Sequence, residues 1–494
     1  MNYVILLLAT LASFGRMLVA YIISLLVALS LGIAMARRRY VEEILMPILD
    51  VLQSIPILGF FPIVIVIFLS FLPKGIGLEL SAVFLLITSL LWNMIFGVYS
   101  AIKSLDPEIF QMAGVYRLGT FARLFFIYIP AARGAIAANS IISWAGGWFF
   151  LTSAEVIASG SEEYKLLGLG SLIMDLYSKG DALDLYIAVA LLCTIIMLSY
   201  ILIFNPATNI VVQGVKIASI TKAYYPLHKA VSTIWSTLMW LGIKAESKRS
   251  GVAKASIAPL FIAVPATIAL LSASVNLGTE QLNFITTFSW NFLLSLTRVC
   301  AVIMLEFFIA ILMAYLSIVK GQSSIIILAG EILASIPAII WWPLLSPIIT
   351  SMPWLVSLII FIQGSLWYEF FNVMLFGVPK IRKELLELAS IYGIKGLNYF
   401  KYIFIPSLLP SIMAGALSAW GGAWNATIVA EYFGLGDNTI DLGGIGALLN
   451  KYVNQGDFTH ILWTVILWAL LIATINKLIW SRLFKSIEKT YIVE

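Results

Sequence analysis

The chain has 494 residues, of which 61% are hydrophobic and only 11% are charged, with a formal net charge of +5. A soluble domain averages about 25% charged residues, so most of this surface faces lipid and a soluble protein is excluded. The two cysteines, Cys193 and Cys300, lie inside apolar runs and the two histidines, His228 and His460, are isolated, which leaves neither a disulfide framework nor a metal ligand set.

No Lys or Arg precedes Arg16, so the first residues lack the positive region of a signal peptide and read as the start of a retained helix. A spanning helix needs about 20 apolar residues. About eleven such stretches follow in order: 12–36, 48–72, 80–102, 131–158, 183–204, 256–275, 285–318, 325–349, 354–378, 407–433 and 459–481. Each is expected to be helical, because lipid offers the backbone no hydrogen-bond partner. The predicted class is therefore an all-α polytopic membrane protein. With the N-terminus placed outside, 24 of the 30 Lys and Arg fall in inside segments and only Lys74, Lys165, Lys179 and Lys451 in outside loops. That bias predicts an outside N-terminus and a cytoplasmic C-terminus. The basic, weakly apolar segment 205–254 reads as a cytoplasmic linker, either an interfacial amphipathic helix or a solvated loop.

The chain repeats itself. Ser54-Ile55-Pro56 with Pro62 is matched by Ser335-Ile336-Pro337 with Pro343. Trp144-Ala145-Gly146-Gly147-Trp148 is matched by Trp420-Gly421-Gly422-Ala423-Trp424, and Glu155 by Glu431, 276 residues later. Gly168-Leu169-Gly170 pairs with Gly444-Ile445-Gly446, and Gly180-Asp181 with Gly456-Asp457. Matching segments enter from the same side, so these are parallel repeats of five core helices each. The expected organisation is a first repeat over 1–204, the linker 205–254, an extra helix and outside loop over 255–284, and a second repeat over 285–494. The extra helix, near 256–275, returns the chain to the outside so that the second repeat is not inverted.

Between the apolar segments lie two polar loops built alike. The first carries Gln111, Ala113, Arg117, Ile127 and Pro130; the second carries Glu387, Ala389, Gly393, Ile403 and Pro406 at the same spacings. In the second, Leu385, Leu386, Leu388 and Ala389 form one side of a short helix, with Lys383, Glu384 and Glu387 toward the other. Gly393 permits a sharp turn, and Pro406 fits the first turn of the next helix. This pattern resembles the EAA loop of ABC importer permeases, matched in full by the second copy. The first has Gln111 for the acid and Arg117 for the glycine, so that it docks more weakly or turns differently.

The double-proline helix, the Trp-rich helix ending in Ala-Glu and the following Gly-x-Gly are similar to the nitrate, sulfonate, taurine and bicarbonate class, in a fused and duplicated form. The resemblance covers nearly the whole chain apart from the linker. It implies MetI-like permease repeats in the plasma (inner) membrane, two cytoplasmic ABC ATPase subunits docked on the loops, and an external solute-binding protein. No phosphate-binding Gly-x4-Gly-Lys-Ser/Thr loop occurs, so ATP and Mg belong to the partner ATPase and the chain itself binds no cofactor, no metal and no nucleic acid. It is a transport subunit, not an enzyme.

Several residues carry two readings. Glu155 and Glu431 are either gate residues or caps for loop N–H groups. Trp144, Trp148, Trp420 and Trp424 either line a pathway between the halves or fill space there. Pro56 and Pro337 are expected to kink or break their helices, which favours a pathway position because both repeats carry it. Glu306 lies deep in a span, with Arg298 two turns earlier as a candidate helper. The rival function is an ion-driven secondary transporter, which should show paired charges near the membrane midplane.

Overall fold

A computed structural model describes residues 3–54, 56–159, 166–199, 202–203, 279–321, 323–334, 336, 341–381, 383–394, 396–433, 439–480 and 482–483. The expected linker 205–254, the expected extra helix 256–275 and Pro337 lie outside the described residues.

The first repeat runs α1 (Tyr3–Arg37), α2 (Arg39–Ser54), α3 (Ile57–Phe71), α4 (Lys74–Lys103), α5 (Pro107–Val115), α6 (Thr120–Arg123), α7 (Ile129–Ser159), α8 (Leu169–Ser178) and α9 (Ala182–Ser199). The second runs α10 (Thr279–Lys320), α11 (Ser323–Ala334), α12 (Trp341–Ile349), α13 (Pro353–Phe371), α14 (Lys383–Ile391), α15 (Leu397–Tyr399), α16 (Ile405–Ala430), α17 (Ile445–Gln455) and α18 (Phe458–Ile475). Each helix of the first repeat has its counterpart in the second, in the same order. The second repeat also carries a two-residue antiparallel ladder that pairs Tyr432 with Asp441 and Phe433 with Ile440, just after α16.

Among the described residues, eight helices are long and apolar enough to cross a membrane: Tyr3–Arg37, Lys74–Lys103, Thr120–Glu155, Ala182–Ser199, Asn283–Ile318, Pro353–Gly377, Phe400–Ala430 and Phe458–Trp480. They account for eight of the predicted spans. The two double-proline segments, counted as spans over 48–72 and 325–349 with a kink or break expected at their prolines, are broken into α2 with α3 and α11 with α12. Pro56 explains the first break. It holds ψ at 117°, lacks an N–H, and so precedes α3 without belonging to α2. Pro130 and Pro406 are the second residues of α7 and α16, in the first turn as expected for Pro406, and each helix is entered through a π-helical turn, at Leu124–Tyr128 and Phe400–Phe404. A proline donates no hydrogen bond. Ile129 and Ile405, just before the prolines, reach back one residue further, to the carbonyls of Leu124 and Phe400.

The repeats interlock through their broken helices. α3 packs on α16, α17 and α18 of the second repeat, and α2 also meets α18; in return α11 packs on α7 and α9 of the first. One continuous buried cluster, including Phe61, Trp148, Phe361, Trp424 and Trp468, therefore spans both repeats. The Gly-Asp pairs close the short helices α8 and α17. Gly180 and Gly456 take left-handed φ of 74° and 68°, and the N–H of Asp181 and Asp457 bond back to Leu176 and Tyr452. Asp457 then accepts from the N–H of His460 and caps α18.

Candidate functional site

The two loops share their backbone as well as their spacing. In the first, Asp106 caps α5 through the N–H of Glu108, and Ala113 is buried against the bundle. Two residues past the end of α5 stands Arg117, whose φ of 48° is the one left-handed value at a described non-glycine residue. In the second, Ala389 is buried likewise and Gly393 has φ of 63°. The closing hydrogen bonds correspond: Leu118 N–H to Ala113 O at 3.0 Å, and Ile394 N–H to Ala389 O at 2.9 Å. Arg117 thus turns the chain as Gly393 does, and the expectation of a different turn is corrected. The cost is steric, since a Cβ in the left-handed region crowds the backbone carbonyl by about 1–2 kcal/mol. Arg117→Gly is accordingly expected to stabilise the chain by roughly 1 kcal/mol, read as a raised Tm in detergent. Glu384 and Glu387 are exposed, as the pattern required.

Each loop is tied to the first helix of its own repeat. The guanidinium of Arg37 at the end of α1 lies 3.8 Å over the ring of Phe110, which in turn meets Tyr128. Tyr315 near the end of α10 contacts both Phe400 and Phe404. Motion of either loop is therefore mechanically linked to a spanning helix. Directly before the left-handed residue, both loops expose an aliphatic–tyrosine pair: Val115 at 80% with Tyr116 at 72%, and Ile391 at 76% with Tyr392 at 75%. Sequence reasoning passed over these pairs, although Val115 and Tyr116 recur as Ile391 and Tyr392 at the loop spacing of 276.

At the far end of α7 and α16 from these loops, Glu155 and Glu431 are wholly buried. Glu155 accepts hydrogen bonds from Ser13 Oγ at 2.6 Å, Arg16 Nη1 at 2.8 Å and Gly170 N at 2.8 Å. Glu431 accepts from Ser295 Oγ at 2.6 Å, Arg298 Nη1 at 3.0 Å and Gly446 N at 2.9 Å. The serines also accept from the N–H groups of Leu169 and Ile445. Both glutamates therefore fasten the start of a short helix to the first helix of the repeat. The glycines follow from this geometry: a Cβ on Gly168 or Gly444 would stand within 2.3 Å of the carboxyl carbon. Ser13-x-x-Arg16 and Ser295-x-x-Arg298 form a repeated element that sequence reasoning missed. Arg298 serves Glu431, not Glu306 as supposed. The two anchors differ at the arginine: Arg16 also grips Glu79 with two bonds of 2.6 Å, whereas Arg298 donates to the carbonyls of Leu442 and Gly443. Glu306 accepts from Ser365 Oγ. Its second oxygen and both carboxyl oxygens of Glu369 are buried without a hydrogen-bond partner among the described residues.

A narrow cleft lies in the seam between the repeats, lined by α7 of the first and by α13 and α16 of the second. It has room for about one water molecule, too little for a solute such as nitrate to pass there. Gly146 and Gly422, which occupy equivalent positions in the repeats, both line it. The four tryptophans do not line it: Trp144, Trp148, Trp420 and Trp424 are at most 4% exposed, inside the buried core. Trp144 Nε1 donates to Ser199 Oγ, and Trp424 stacks on Phe292 at 5.3 Å. The polar groups at the cleft come from the second repeat, as Gln363, Tyr368 and Asn425. Where Asn425 stands, the first repeat has Phe149.

The family model described as "Binding-protein-dependent transport system inner membrane component" matches residues 5–217 and 306–480. Among curated proteins, the chain is similar to the bicarbonate transport system permease protein CmpB of Synechococcus elongatus, at 24% identity over 180 residues, 36% of this chain and 60% of that one. It is similar to the nitrate import permease protein NrtB of Leptolyngbya laminosa, at 23% over 178 residues, 36% of this chain and 59% of that one. It is also similar to the taurine transport system permease protein TauC of Escherichia coli, at 26% over 191 residues, 39% of this chain and 64% of that one. The matched region spans about 60% of the length of the bicarbonate and nitrate relatives.

Proposed function

The chain belongs to the family of binding-protein-dependent transport system inner membrane components, matched in both of its repeats, and on that premise we propose that it forms the whole translocation pathway of an ATP-driven importer. Two permease units are fused in one polypeptide. The solute is a small one, an anion such as nitrate, a sulfonate or bicarbonate. Two cytoplasmic ATPase subunits, which bind the ATP and Mg, dock on the loops around 106–130 and 382–406, and an external binding protein delivers the solute. The N-terminus lies outside and the C-terminus inside.

One observation carries the docking reading. Two loops in the same register each expose an apolar pair, Val115-Tyr116 and Ile391-Tyr392, where a soluble tip would be polar. The links from Arg37 to Phe110 and from Tyr315 to Phe400 then carry displacement of a docked subunit into α1 and α10. Nothing in this requires covalent chemistry by the chain, which converts a docking displacement into a change of access. Reconstitution with the ATPase and binding protein tests the reading. ATP-dependent uptake of labelled nitrate, bicarbonate or taurine is expected, and uptake driven by an ion gradient without ATP would refute it.

A further inference from the structure

The two breaks in the double-proline helices are held by two amide side chains of the second repeat, and both amides line the same cleft. At the first break, the N–H of Ile57, which opens α3, donates to Asn425 Oδ1 at 2.5 Å. This bond crosses from one repeat to the other. At the second break, Gln363 Nε2 donates to the carbonyls of Leu333 and Ile336, both at 2.7 Å. Helix breaks free backbone groups that lipid cannot satisfy, so each must find a partner within the protein. Here both partners are side chains on the wall of the seam. Asn425 is further secured by donating to Gly421 O. On the opposite wall the first repeat presents apolar side chains and glycine, among them Ile142, Phe149 and Phe150.

We propose that Asn425 and Gln363 are positioning residues that act as paired latches: they hold the broken helices of both repeats closed over the seam, and opening of the pathway requires their release. The inference rests on the reading of the seam as a transport pathway, but the latches are testable without transport. Their arrangement is one-sided. Release of two amides on α13 and α16 frees α3 of the first repeat and α11 of the second together, so one wall of the cleft controls both halves. The freed amides, with the Tyr368 hydroxyl, are then the polar groups that a passing solute meets. None carries charge, which suits a neutral, zwitterionic or singly charged solute, because a multiply charged anion stripped of water would find no countercharge on this wall.

The test uses the full-length chain in lipid nanodiscs. Cys193 and Cys300 are replaced by alanine, Ala145→Cys is placed on the apolar wall of the cleft, and its rate of labelling by N-ethylmaleimide is measured. Losing the one hydrogen bond at Asn425, or the two at Gln363, from the closed state should raise the open population, and with it the labelling rate, by at least roughly three- to tenfold. Asn425→Leu and Gln363→Leu are expected to show that rise, whereas Ile142→Leu, a volume-conserving swap on the opposite wall that removes no latch bond, should label at the parent rate. An unchanged rate in both latch variants, or an equal rise in Ile142→Leu, would overturn the proposal. Size-exclusion profiles matching the parent show that a variant is folded; if Asn425→Leu does not fold, Gln363→Leu alone decides. Should the parent chain fail to import any solute while the labelling follows this pattern, the transport reading falls and the latches stand.

Discussion

Alanine in place of Glu155 or Glu431 is expected to destabilise the protein by about 3–5 kcal/mol in each case, read as a large fall in Tm in detergent. Each carboxylate is fully buried and holds a serine, an arginine and a backbone N–H at once. Its removal leaves an arginine short of its anion and a glycine N–H with no acceptor, away from water. The matching arginine variants should not be equal. Arg16 is 6% exposed and Arg298 26%, so Arg16→Ala is expected to cost more than Arg298→Ala. A loss below about 1 kcal/mol for both glutamate variants would mean that these groups are bystanders, as surface ion pairs often are. A gate role predicts something else: altered transport with Tm retained.

Association with the ATPase is expected to fall by about 30-fold or more when Ile391 and Tyr392 are replaced together by Asp and Ala. Exposed aromatic and aliphatic residues at the centre of an interface commonly carry 2 kcal/mol or more each, and a charge there must also be desolvated. The corresponding change at Val115 and Tyr116 should weaken association too. The first loop has Gln111 where the second has Glu387, so the second set is expected to have the larger effect, with the second repeat the tighter coupler. Pull-down of the ATPase with purified chain measures this directly. Retention at the parent level after substitution in both loops would remove the basis for docking there. The left-handed turn is not what separates the loops, since Arg117 and Gly393 adopt it alike.

The repeat was the most legible part of the sequence, because identical residues at one spacing report one backbone made twice. The Gly-Asp pairs, the Gly-x-Gly elements and the loop alanines all have matching places in the two repeats. The helix breaks were visible as prolines, yet each broken segment was counted as one span. Hydropathy does not register a break when both pieces are apolar, as in Ile57–Phe71. The arginine anchors were harder to see. Arg16 and Arg298 lie 282 residues apart while their glutamates lie 276 apart, so the pairs do not fall on one offset. Sequence proximity also drew Arg298 toward Glu306. Helical side chains lean toward the N-terminus, and Arg298 reaches that way, to Glu431.

The cleft was hidden for the opposite reason. Asn425 faces the seam where the first repeat has Phe149, so a search for matched residues discards it. Trp144 and Trp148 share a helix face, as their spacing implies, but that face turns into the core. The small residues between them, Ala145 and Gly146, reach the seam instead. A periodic pattern identifies which residues share a face, and only the packing of the other helices decides what that face meets.

Native mass spectrometry of the complex purified with its ATPase tests the central claim, that one chain supplies both halves of the pathway and both docking loops. The account predicts one copy of this 494-residue chain with two ATPase subunits. A complex holding two copies of the chain with two ATPase subunits would contradict it.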